Sequence, residues 1–212
     1  MKVIVRKRSK PEVFIIESLR FQDENKKRFD GKFLSDILWM RDKKPKYYYI
    51  RTKKELKAVM EKFWNSGYRY LHLSCHGTNE SIETTLDSIP FRALGRLMRP
   101  YLKGRRLFIS ACYSVNQNLA RILIPSSGCR SVIGPAKWIE FPDAAIFWAS
   151  FFHLVFEEDP EYMRRDDISR TLQKVADTVG TSLNYFSTSR KHGFKGDRII
   201  PGKKSVRIYP KN

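Results

Sequence analysis

Two short motifs carry side chains able to do nucleophilic chemistry. One is Leu71-His72-Leu73-Ser74-Cys75-His76-Gly77, the other Leu107-Phe108-Ile109-Ser110-Ala111-Cys112-Tyr113. Each reads as an apolar strand ending in reactive residues, and in an open α/β sheet sites lie beyond the carboxyl ends of the strands. His76 and Cys112 are 36 positions apart. One helical crossover fits in that interval, so the two strands can be parallel neighbours with an imidazole and a thiol at one sheet edge. A thiol attacks as its thiolate, and a nearby imidazolium favours that form. Cys112 also precedes a predicted helix, whose N-terminus favours negative charge. Gly77 lets a substrate carbonyl approach the backbone, and the amides of Gly77 and Cys112 can then form an oxyanion hole. Each residue alone has an ordinary structural reading, the cysteine as buried core and the histidine as a hydrogen-bonded strand end. Their order and matching positions are what favour a catalytic pair.

Other clusters do not organise a site. Cys75, His76, Cys112 and Cys129 lack the paired C-x₂₋₄-C or H-x₃₋₅-H steps of a structural zinc site. A Cys-x₅-Arg phosphatase loop fails because position 118 is Asn. There is no Walker A lysine loop and no G-x-G-x-x-G. No metal or other cofactor is expected. His153 falls on an apolar helix, His192 in a basic tail, and Cys75 on the strand face opposite His76, so all three read as structural.

The elements that must position the pair follow from the hydrophobic pattern. Val13–Leu19 and the aromatic Lys46–Arg51 read as strands, and Phe33–Met40 has helical spacing. Thr52 with Glu55 forms a capping box for a helix that stops at Gly67. Tyr68–Cys75 and Arg106–Ala111 are the two strands that end in the reactive residues. Between them, Ile89–Leu102 reads as a helix interrupted by Gly95 and closed near Pro100. A helix starts at Asn118–Leu123, and Ser131–Gly134 is a short strand. Ala144–Phe156 is apolar nearly all round, a helix buried against a sheet, and Ile168–Val179 carries one apolar stripe. Pro201-Gly202 between two strand-like runs predicts a terminal hairpin in Arg198–Tyr209. Strands alternating with helices in this way predict an α/β domain with a largely parallel sheet.

Taken in order, these motifs resemble a caspase-like (clan CD) cysteine peptidase of the CHAT type. The resemblance rests on HLSCHG (72–77), LFISAC (107–112), GCRSVIG (128–134), Trp138, Asp143-Ala144-Ala145 and FWASFFHLVF (147–156). It covers about 68–158 and implies a three-layer sandwich, a mostly parallel central sheet flanked by helices. The whole chain, 1–212, is then one peptidase domain with a basic N-terminal segment and a hairpin tail. By resemblance, Cys112 is the nucleophile, His76 the general base and acid, and Gly77 and Cys112 supply the oxyanion hole. Asp143 either lines an acidic pocket for a basic P1 side chain or caps the helix that follows Pro142. Where relatives often carry a Gly shortly after the nucleophile, this chain has Ser114-Val115. The resemblance implies a cysteine endopeptidase with a protein substrate and a regulatory protein partner. The alternative is a catalytically inactive module of the same fold that binds a protein or nucleic acid. Caspase-like enzymes also often cut themselves in an exposed linker, and Arg164-Arg165 lies in such a polar stretch, Glu157–Asp167.

Composition bounds the partners. The 212 residues carry 41 Lys+Arg against 22 Asp+Glu, a formal charge of +19. Net charge is +10 over residues 1–54, +4 over 55–112, −1 over 113–158 and +6 over 159–212. The basic flanks suit nucleic acid or an acidic protein, or serve solubility alone. Hydrophobic residues at 42% suffice for a full core. No apolar run approaches the roughly 18–20 residues of a membrane span, and the short run after the basic start is not a secretory signal. Three cysteines make no disulfide framework, so a reducing, cytoplasmic location is expected.

Overall fold

The computed structural model describes residues 9–209, so most of the basic start, Met1–Lys10, lies outside the described residues. In chain order the elements are β1 (Lys10–Glu17), α1 (Phe21–Asn25), α2 (Asp30–Met40), β2 (Lys46–Tyr49), α3 (Lys53–Ser66), β3 (Tyr68–Ser74), β4 (His76–Gly77), β5 (Ser81–Glu83) and β6 (Ser88–Pro90). There follow α4 (Phe91–Met98), a 3-10 turn (Arg99–Tyr101), β7 (Arg106–Ser110), α5 (Gln117–Ser127), β8 (Ser131–Pro135), α6 (Phe141–Glu158), α7 (Arg165–Val179), β9 (Leu183–Ser189), β10 (Gly193–Ile200) and β11 (Lys203–Ile208).

Eight strands form one sheet in the order β2-β1-β3-β7-β8-β9-β10-β11. The first five run parallel. The last three run antiparallel, ending in the expected hairpin across Pro201-Gly202. A second sheet of β4, β5 and β6 covers the segment between the two reactive motifs. Helices α2, α6 and α7 pack on one face of the large sheet, and α3, α4 and α5 on the other.

Burial on both faces explains why β1 is a continuous apolar run. Val13 and Ile15 point to the α6 side, Phe14 and Ile16 to the α3 side, and all four are fully buried. The aromatic helix α6 lays Trp148, Phe151 and Phe152 on Phe108 of β7. His72 is buried among them, its ring centroid 5.2 Å from that of Trp148. Neither of its ring nitrogens has a hydrogen-bond partner. Burial pushes its pKa down to about 3, so the ring stays neutral and packs as an aromatic.

The capping box forms as its spacing predicts. Thr52 Oγ1 accepts from the Glu55 amide, Glu55 accepts from the Thr52 amide, and α3 ends at Gly67 with φ +72°. The segment 89–102 differs from expectation. Ile89 belongs to β6, and α4 runs through Gly95 without a break. Gly95 is there for packing, since a Cβ would come within 2.4 Å of Ile122 on α5. Helix α1, the small sheet and β9 have no apolar run or period that announces them.

Candidate active site

The pairing of β3 with β7 sets the site. Its last rung is Ser74 opposite Ser110. His76 and Cys112 therefore stand two residues past the same rung, just beyond the ends of two adjacent parallel strands. Both line one cavity of about 430 Å³ at the strand ends, together with Arg28, Asp30, Trp138 and Ile139. The sequence expectation that the topology brings this histidine and this cysteine to one sheet edge is met.

His76 is held from behind. Its Nε2 lies 2.7 Å from Asp23 Oδ2. Asp23 also accepts from Arg28 Nη1 at 2.9 Å. Burial alone would raise the Asp23 pKa, but the hydrogen bonds from His76 and Arg28 outweigh it and keep the carboxyl below its ordinary range. With Nε2–H donated to this carboxylate, Nδ1 is the basic nitrogen. An edge contact with Phe141, centroids 5.5 Å apart, fixes the ring plane. Asp23 sits on α1, a five-residue helix whose residues FQDEN carry no periodic signal.

Cys112 is half-buried, and its sulfur sits against the backbone of Ile139, 3.4 Å from the amide nitrogen and 3.5 Å from the carbonyl oxygen. Tyr113, next in the chain, has φ +58°, a left-handed conformation uncommon for an aromatic residue. The turn is pinned by the Tyr113 amide donating to Lys137 at 3.2 Å. Gly77 is required by this loop. A Cβ there would stand 1.9 Å from Ser114 Oγ and 3.1 Å from Ala111 Cβ. Ser114 fills that space and donates to the Cys112 carbonyl, while Val115 is fully buried. Asp143 lies in the first turn of α6, whose N-cap is Glu140, and is not among the residues lining the cavity.

Beneath the pair lies a carboxylate that the sequence pattern does not single out. Asp30, at the head of α2, accepts from Ser74 at 2.5 Å and Ser110 at 2.8 Å. It thus ties together the two strands that carry His76 and Cys112, two residues before each. Behind it Glu17 accepts from the Gly31 amide at 2.7 Å and the Tyr47 hydroxyl at 2.7 Å. Burial first, then the charge of Asp30, pushes Glu17 up to about 8, and Asp30 is raised as well. The pair therefore holds a proton at neutral pH, and desolvation is the first cause for both members. A raised folded pKa means stability that is complete below the unfolded value of about 4.5 and is lost as pH rises through 8. Glu17→Gln is expected to flatten the dependence of the melting midpoint on pH across that window, measured by thermal unfolding at several pH values. An unchanged slope would place the titration elsewhere.

The three layers, the parallel half-sheet and the cavity at the strand ends define a caspase-like α/β sandwich. No family model matches the chain, and no curated protein matches it. Among solved structures it is similar to a secreted C11 cysteine protease from Bacteroides thetaiotaomicron, "iotapain", with a TM-score of 0.53 at 11% identity over 85% of this chain and 67% of that one. The described residues include no group of three or more metal-ligating side chains, and no helix long and apolar enough to cross a membrane.

Proposed function

We propose that the chain is a cysteine endopeptidase that cleaves a protein substrate through an acyl-enzyme. The observation that carries this reading is the convergence of Cys112 and His76 on one cavity, with Asp23 bonded to the far side of the imidazole. His76 Nδ1 takes the thiol proton, and the thiolate attacks the peptide carbonyl carbon. The oxyanion is met by the amides of Gly77 and Cys112. His76 then gives its proton to the departing amine as the C–N bond breaks. Water, deprotonated by the same nitrogen, cleaves the thioester and restores the thiol. Asp23 stays ionised and keeps the ring in the working tautomer.

Charge in the cavity favours a basic P1 side chain. Among the lining groups, Arg28 is bonded to Asp23 and Arg20 to Glu83. Asp30 at the floor and Glu140 at the rim have no ion-pair partner among the described residues. Trp138, 61% exposed at the rim, offers an apolar face to the substrate. The order of motifs around the pair favours the CHAT type within the fold. Control by a partner protein and a reducing, cytoplasmic setting complete the reading; the three free cysteines support the setting.

A peptidyl acyloxymethyl ketone with Arg or Lys at P1 tests the assignment. Saturable labelling mapped to Cys112 by mass spectrometry is expected. No adduct, or an adduct only on Cys75 or Cys129, would overturn it. Asp23→Asn should lower kcat by roughly 10²-fold or more with KM little changed, because the imidazole loses the acceptor that fixes its tautomer. Equal kcat values for parent and variant would remove Asp23 from the mechanism.

A further inference from the structure

The charge of the molecule is divided between its two helical layers. Residues 91–130, which include α4 and α5, contain eight Lys+Arg and no Asp or Glu. Residues 141–179, spanning α6 and α7 on the opposite face, contain eight Asp+Glu and four Lys+Arg. On the α6–α7 side charges are paired, as in Arg170 with Glu158 and Asp167. On the α4–α5 side Arg92, Arg96, Lys103 and Arg130 are exposed, and none of them forms an ion pair among the described residues.

These side chains form one surface. Arg92 and Arg96 are four residues apart and share a face of α4. The close crossing at Gly95 and Ile122 brings that helix against α5. Lys103 reaches the far end of α5, where its Cγ lies 3.4 Å from the Cβ position of Gly128 and the Gly104 amide donates to the Gly128 carbonyl. Arg130 is tied to the same loop through its amide and the Arg105 carbonyl. A protein partner would need apolar anchors at the centre of its contact. Within 91–130 the exposed large hydrophobics comprise Tyr113 alone, and that residue belongs to the nucleophile turn. A segment rich in arginine forks, with no acidic residue of its own between 91 and 130 and with Glu61 of the neighbouring α3 against Tyr101, suits a repeating phosphodiester.

We propose that the α4–α5 face binds the phosphodiester backbone of a nucleic acid, independently of the peptidase chemistry at the strand ends. The site differs from the basic flanks that the sequence singles out.

The test is fluorescence anisotropy of the full chain with labelled 30-nucleotide single-stranded RNA, single-stranded DNA and duplex DNA, over a salt series. Binding by at least one is expected, and the preferred one identifies the source. The quadruple variant R92Q/R96Q/K103Q/R130Q should lose at least about tenfold in affinity and flatten the log K against log salt slope by about 3. The charge-keeping variant R92K/R96K/R130K should lose less than about threefold, and K203Q/K204Q in the terminal hairpin should behave like the parent. Absence of binding at 50 mM salt overturns the proposal. So does equal binding by the quadruple variant, loss confined to the hairpin variant, or competition by poly-glutamate as strong as by nucleic acid.

Discussion

Replacing Cys112 with alanine is expected to give a chain that melts where the parent melts and cleaves nothing. The side chain is half-buried, and its sulfur touches the backbone of Ile139 rather than another side chain's polar group. Its loss opens no core cavity, so stability should change by less than about 1 kcal/mol. Activity should fall by roughly 10⁴-fold or more, the order seen when a covalent nucleophile is removed and only binding and oxyanion donors remain. Turnover of a peptide substrate and a thermal melt on the same sample separate the two effects. A Cys112→Ala chain that turns over like the parent would defeat the nucleophile assignment whatever its melting point.

Asp30→Asn is expected to leave the fold intact and remove the preference for Arg and Lys at P1. The asparagine carbonyl can accept from one of Ser74 and Ser110, while its amide donates to the other, so the tie between the two strands survives. The substitution also takes one charge out of a buried acid pair, which relieves Glu17 and offsets the changed hydrogen bonds. A cationic P1 group would lose its counter-charge at the cavity floor. The ratio of kcat/KM for Arg over Gln substrates should therefore drop by roughly 10²-fold, while alkylation of Cys112 by iodoacetamide proceeds as in the parent. An unchanged ratio would show that the floor carboxylate does not read P1, leaving Glu140 at the rim as the next candidate.

The meeting of His76 and Cys112 at one cavity was legible because both residues end apolar strands, and strand ends are where a parallel sheet puts its site. The cap at Thr52, the stop at Gly67 and the hairpin at Pro201-Gly202 were equally legible, since each is a local preference of a few adjacent residues. Asp23 was not, because its meaning comes from a contact 53 positions away. Asp30 was read past for the same reason, its two serines lying 44 and 80 positions off. Gly77 was noticed for its approach to a substrate carbonyl, but not for a second demand. Its missing Cβ makes room for Ser114 of the nucleophile turn, a demand only the folded loop imposes. β9, with LNYFSTS, hides in polar residues because it pairs at the sheet's antiparallel half.

The unequal helical layers give the molecule a component of electric dipole across the sheet, from α6–α7 to α4–α5. Any anionic polymer or surface exerts a torque on such a body before contact, turning the arginine face inward at distances up to about a Debye length. The cavity opens at the strand ends, along the rim and at right angles to that axis. A molecule so oriented would present its cleft sideways, unobstructed, and sweep it along whatever lay beside the polymer. Orientation by the field and access to the cleft are thus compatible by geometry alone.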